Sequence, residues 1–125
     1  MYVPLNTAHS HEHASDFALA VAQLLEKQLP GQVLSNMTRK LRKGKVFIDW
    51  SQNSRHKTTI APYSLRAKDR PTVSTPVTWD EVSDGADGEP LSFEADEVLA
   101  RVETLGDLFA PTLLLEQELP GATGA

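Results

Sequence analysis

Lys45-Val46-Phe47-Ile48-Asp49-Trp50-Ser51-Gln52-Asn53 decides how the chain is read. Four apolar residues surround one carboxylate, which is the pattern of a buried strand that carries an acid to its end. In a strand Phe47 and Asp49 share one face, and Val46, Ile48 and Trp50 share the other. A carboxylate in so apolar a run needs a partner, since a buried and unpaired charge is costly. Two partners are open: an ion pair with a neighbouring arginine, or a divalent cation that positions a nucleoside triphosphate.

The surroundings of this stretch are strongly basic. Ten of the twelve Lys and Arg residues lie between Asn36 and Arg70, where the only acids are Asp49 and Asp69. That segment carries +8 and the rest of the chain −13, so the net charge of −5 conceals a dipolar layout. Arg42 just precedes the strand, Gln52 follows it, and Arg66 lies further on, a spacing that allows them to converge on the strand end. Arginine grips phosphate oxygens in a bidentate fork. One-sided clustering of cations favours phosphate or nucleic acid over a merely solvated basic face.

Outward from the centre, Thr58-Thr59-Ile60-Ala61 is β-branched and predicts a second strand, paired with the first as a hairpin. Gln32 to Ser35 predicts a short strand, and Thr38 to Lys43 a helical turn ended by Gly44. Upstream, Ser10 predicts the N-cap of a helix over 11–28, with Phe17, Val21, Leu24 and Leu25 on its apolar face and Ala14 and Ala18 beside them. Tyr2-Val3-Pro4-Leu5 has the look of a strand end. Downstream, Thr78-Trp79-Asp80-Glu81 is a capping box. Ser92 or Phe93 is expected to open the last clear helix, with Phe93, Val98, Val102 and Leu105 inward and Gly106 past its end. Residues 120–125 are expected to be a disordered tail.

At 125 residues, with 40% apolar and 23% charged content, the chain fits a single soluble domain. It has no cysteine, hence no disulfide and no thiolate metal site. No apolar run approaches a membrane span, and the N-terminus lacks the features of a signal peptide, so a cytoplasmic location is expected. His9, His11 and His13 alternate, but they enter a helix, where i and i+2 face apart, so an exposed helix start is favoured over a metal site. Ser-His-Asp triads, glycine-rich phosphate loops and zinc spacings are not present.

The central stretch, followed by Lys57-Thr58-Thr59-Ile60-Ala61-Pro62-Tyr63-Ser64-Leu65-Arg66, closely resembles the polymerase domain of bacterial ATP-dependent DNA ligase D, of the archaeo-eukaryotic primase superfamily. The likeness extends through Pro71-Thr72-Val73, Pro76-Val77-Thr78-Trp79 and Glu97-Val98-Leu99, and upstream through Tyr2-Val3-Pro4-Leu5 and Ser35-Asn36-Met37-Thr38. It implies an α+β fold: a partial antiparallel sheet with packed helices, residues 1–119 being the C-terminal portion of that domain. It also implies that Asp49 is the third metal-binding aspartate and that Arg42, Gln52 and Arg66 contact the triphosphate. The implied activity is nucleotide addition to DNA ends in non-homologous end joining, with Mn²⁺ or Mg²⁺, in a cytoplasmic, nucleoid-associated bacterial protein. The implied partners are a nucleoside triphosphate and DNA ends, with no membrane. The family's Asp-x-Asp pair and its Ser and His motif have no counterpart here, which implies a chain inactive alone; the alternatives are a non-catalytic nucleotide- or DNA-binding module, or a remnant that needs a partner carrying those motifs.

Overall fold

In the computed structural model, residues Met1–Pro120 are described, and they form two compact units. One comprises Leu5–Thr59 together with the residues from Glu116 onward; the other comprises Met1–Pro4 and Ile60–Leu115. The expected tail over 120–125 lies outside the described residues apart from Pro120.

The first unit is built on helix α1, His11–Gln28. Its N-terminus is the expected one: the Ser10 side chain accepts the backbone N–H of His13 at 3.0 Å, satisfying one of the orphan donors of a first turn. The packed line overlaps the expected apolar face: Phe17, Leu25, Ala14 and Ala18 are half-buried, while Val21 is exposed. Ala22 is the residue fully removed from solvent, and Ser15, Ala18, Leu25 and Glu26 are half-buried around it, whereas Leu24 stays 55% exposed. Small residues win the inward positions because they let the backbone of a neighbouring turn approach closely.

After α1 the chain forms β1, Val33–Leu34, a 3₁₀ turn over Arg39–Arg42, and β2, Val46–Phe47. Gly44 sits between turn and strand at φ +70°, a left-handed backbone that glycine adopts without strain. The two strands are parallel, with Val33 opposite Val46 and Leu34 opposite Phe47. This corrects the expectation of an antiparallel sheet: the sequence was read as a hairpin after Asp49, but the pairing lies before it. Asp49 already has non-strand dihedrals, φ −80° and ψ +80°, and Trp50–Gln52 form a second 3₁₀ turn. The segment over 58–61 makes no ladder, and the carbonyl of Thr58 accepts the Gln52 side-chain amide instead. Buried Val33 and Leu34 and the buried Leu119 complete this unit's apolar interior.

The second unit holds α2, Trp79–Ala86, α3, Ala95–Leu105, and α4, Ala110–Leu114. The capping box at Thr78 and Glu81 is present in both directions. Helix α3 starts two residues later than expected, with Glu94 as its N-cap. Phe93 cannot join it, because its carbonyl is the acceptor for Val73 N–H at 2.9 Å. Val98 is buried as anticipated, while Val102 and Leu105 remain at 40% and 45% exposure. Leu65 and Val73 form an antiparallel bridge, so antiparallel pairing exists in this unit rather than at the central stretch. Tyr2-Val3-Pro4-Leu5 is not a strand; the Tyr2 ring stands edge-on to Phe109 at 5.6 Å.

A bidentate ion pair ties α2 to α3. Arg101 places Nη1 at 2.5 Å and Nη2 at 2.8 Å from the two Glu81 oxygens, and Nη2 also donates to the Pro76 carbonyl. The guanidinium lies over the Phe93 ring at 4.4 Å. These hydrogen bonds, first from Arg101 and then from the Thr78 backbone, hold the Glu81 carboxyl down at about 2. No helix among the described residues is long and apolar enough to cross a membrane.

Candidate functional site

Asp49 is placed by its neighbour. Trp50 is half-buried, its indole N–H donates to the Ser35 carbonyl at 2.9 Å, and its own carbonyl accepts the Ser15 hydroxyl of α1 at 3.4 Å. Ser35 is held in turn by Glu26 of α1, whose carboxylate accepts the Ser35 N–H at 2.6 Å and its hydroxyl at 3.2 Å. Four side chains therefore close a ring of hydrogen bonds from α1 through the end of β1 to the Asp49 turn and back. Each bond to a charged carboxylate is among the stronger neutral-to-ion type. The result is a fixed turn that presents its aspartate outward.

The Asp49 carboxylate is exposed and accepts the Ser51 hydroxyl at 2.9 Å. Among the described residues of its unit it makes no ion pair, so the arginine partner that a buried strand acid would need is not found there. The reason is exposure: the chain leaves the strand at Ile48, and Asp49 meets water instead of core. Among the described residues no group of three or more His, Cys, Asp or Glu residues stands ready to hold a metal.

Arg42 belongs to the same unit. It ends the 3₁₀ turn before β2, and its guanidinium lies over the Phe47 ring at 4.1 Å. Its Nη2 donates to the Met37 carbonyl at 2.9 Å. The Nε–H is buried without a hydrogen-bond partner, an uncommon condition for a charged donor. Cation and ring on opposite sides of Gly44 were not read as a pair from the sequence; an Arg five residues before a Phe, with a turn glycine between, was the available signal.

Gln52 follows Asp49 on the second 3₁₀ turn, but its amide is engaged by the Thr58 carbonyl, so it clamps the loop after the turn. Arg66 lies in the other unit. There its backbone N–H donates to Thr72 at 2.8 Å, extending the Leu65–Val73 bridge. Arg66 and Lys68 are exposed along an open groove of about 380 Å³, shared with Thr72, Ser74 and Ser92. Near the start of this pairing Tyr63 has φ +67°, unusual for a side-chain-bearing residue. Its N–H donates to Ser74 at 2.6 Å, and its phenol donates to Asp107 at 2.6 Å. Burial, then that bond and the charge of Asp107, push the phenol up.

Neither an exposed helix start nor a metal site describes all three histidines. His11 is exposed, but His9 and His13 are half-buried, with their rings 5.3 Å apart.

Similarity to known proteins gives the family of the chain. Residues 1–109 match the family model described as LigD, primase-polymerase domain. The multifunctional non-homologous end joining protein LigD of Mycolicibacterium smegmatis is 54% identical over 111 residues, covering 89% of this chain and 14% of that protein. The bifunctional non-homologous end joining protein LigD of Bacillus subtilis is 30% identical over 107 residues, covering 85% of this chain and 17% of the relative. Among solved structures, the polymerase domain from Mycobacterium tuberculosis ligase D in complex with DNA superposes with a TM-score of 0.82 at 47% identity. That match covers 91% of this chain and 39% of the solved one. The chain thus spans a small part of its relatives' length, and by both sequence and fold it belongs to the LigD primase-polymerase domain family.

Proposed function

We propose that this chain contributes the Asp49 half of a nucleotidyltransferase site, binding the triphosphate of an incoming nucleotide together with a divalent cation. The observation that carries this is the outward carboxylate of Asp49 on a turn locked by Trp50, in the same unit as an Arg42 whose Nε–H has no partner. A hard oxygen donor of this kind suits Mg²⁺ or Mn²⁺, which are held by one or two carboxylates and completed by substrate phosphates. The cation, when bound, supplies charge neutralisation at the phosphoryl group. Asp49 would hold it. Arg42, its guanidinium over the Phe47 ring and its Nη2 on the Met37 carbonyl, would turn its remaining Nη1 donors to phosphate oxygens. Arg66 and Lys68 offer a second cationic edge, and Gln52 acts by fixing the loop beyond the turn.

Residues 1–119 are, on this proposal, a C-terminal portion of such a domain. The Asp-x-Asp pattern that the family pairs with this aspartate does not occur in the sequence, and one carboxylate leaves an attacking hydroxyl without its own cation. The lone chain is therefore expected to bind but not to polymerise, and to need a polypeptide that supplies the other carboxylates. DNA ends and a role in end joining follow for the assembled site, in keeping with the DNA complex of the solved relative. Primer extension with Mn²⁺ tests this: no product is expected from the chain alone, and Asp49-dependent product would overturn it.

The +8 segment favours a second possibility, a DNA-binding module in which Asp49 has no part. Salt-sensitive DNA binding that survives Asp49→Ala but not Arg42→Ala, with no response to Mn²⁺, would select it.

A further inference from the structure

His9 sits in a relay of hydrogen bonds whose direction is fixed by chemistry. The backbone N–H of Leu119 points at His9 Nε2 at 3.2 Å. A backbone N–H can only donate, so Nε2 must carry a lone pair. In a neutral imidazole the proton then resides on Nδ1, which lies 3.1 Å from Thr7 Oγ1. The Thr7 hydroxyl spends its own proton on the Gln117 carbonyl at 2.5 Å, and Gln117 N–H donates to the Leu5 carbonyl at 2.7 Å. Every donor has one acceptor. Leu119, at the end of the relay, is buried, and Ser10, the next residue after His9, caps α1.

From this we infer that neutral His9 is a pH-sensitive latch that fastens the segment from Glu116 to Leu119 onto the irregular stretch that precedes α1. Protonation places a hydrogen on Nε2, which then faces the Leu119 N–H donor to donor. The Thr7 bond survives, but the Leu119 end has lost its acceptor and opens. No other tautomer restores it, because an imidazolium has no lone pair. The charged neighbours are His13, whose ring is stacked on His9, Glu12, Asp16 and His11 on the first turns of α1, and Glu116 and Glu118 on the latched segment itself. None of these groups changes which bond is lost. The latch lies outside the triphosphate residues and does not depend on their assignment.

The test is amide exchange at Leu119 in the full chain, expressed as protection relative to the free peptide. At about pH 8 the amide should be protected, and protection should fall about tenfold by about pH 5.5, the range across which histidine charges. His9→Phe should leave it unprotected at both values, and His13→Gln should keep the parent's response. Protection that ignores pH in the parent, persists in His9→Phe, or loses its pH response in His13→Gln would overturn the latch. Should His9→Phe not fold, imidazole ¹⁵N spectra of the parent decide: a bare Nε2 at about pH 8 supports the latch, and a protonated one contradicts it.

Discussion

Two carboxylates in this molecule are treated in opposite ways. Glu81, in the unit of helices α2 and α3, is gripped by both arms of Arg101 and by its own capping box, and its side chain is 26% exposed. Asp49, in the other unit, is exposed, accepts the Ser51 hydroxyl, and meets no cation among the described residues of that unit. The same contrast separates their arginines. Arg101 spends its donors on Glu81 and the Pro76 carbonyl, whereas Arg42 keeps a buried Nε–H without a partner. Charges that hold a fold together are satisfied inside it. An exposed charge on a rigid frame is available to a ligand, and this is why Asp49, not Glu81, is proposed for the site; Arg42 can add only the Nη1 donors left by its buried Nε and its Met37 bond.

The largest effect is expected where the charge is structural. Arg101→Ala removes both Glu81 bonds, the Pro76 bond and the contact with Phe93, leaving a half-buried carboxylate alone. A loss of about 2–4 kcal/mol in urea unfolding is expected, and a loss below about 0.5 kcal/mol would show the pair to be ornamental. Acid should expose the same dependence. Glu81 has a folded value of about 2 against an ordinary 4.5, so the unfolded chain binds its proton more readily. Its contribution is then full above pH 4.5 and lost as pH falls toward about 2. Glu81→Gln should lower stability near neutral pH and flatten its fall below the ordinary carboxylate range; a fall as steep as the parent's would show that this carboxylate is not the stabiliser.

A smaller effect is expected at the frame beneath Asp49. Trp50→Phe keeps the ring and removes the donor to the Ser35 carbonyl, which should cost about 1 kcal/mol in the same unfolding experiment. The smallest belongs to the site itself. Asp49→Asn should move stability by less than about 0.5 kcal/mol, as for an exposed side chain with one local bond. If it destabilised the chain as Trp50→Phe does, Asp49 would be part of the frame and the contrast with Glu81 would collapse.

Local signals carried much of this fold into the sequence. Ser10 and Thr78 cap helices where their side chains said they would, because an N-cap is a contact among near neighbours. The Asp49 stretch was recognisable by its residues, and the family followed from it. Pairing was harder to read. Period-two patterning marks Val46 and Phe47 as strand but says nothing of which strand lies beside them, and β1 from upstream took the place expected for Thr58 to Ala61. The inward face of α1 was partly legible: Phe17, Leu25, Ala14 and Ala18 are half-buried as expected, but Val21 and Leu24 are exposed, and the buried residue is Ala22, which the apolar pattern did not mark. Gln52 was expected on phosphate and is found on the Thr58 carbonyl, a local bond that competes with that role. Latch residues His9 and Leu119 are 110 positions apart and left no pattern to find.

The central claim is that Asp49 works through a cation while the fold does not need it. Thermal melts of the parent and of Asp49→Ala, each with and without Mn²⁺ plus a nucleoside triphosphate, test it most directly. Both chains should melt alike without ligand, and only the parent should gain stability from metal and triphosphate together, by about 2.7 kcal/mol when ligand is a hundredfold above its dissociation constant. An equal metal-dependent gain in Asp49→Ala would contradict the claim and leave the site to the basic residues alone.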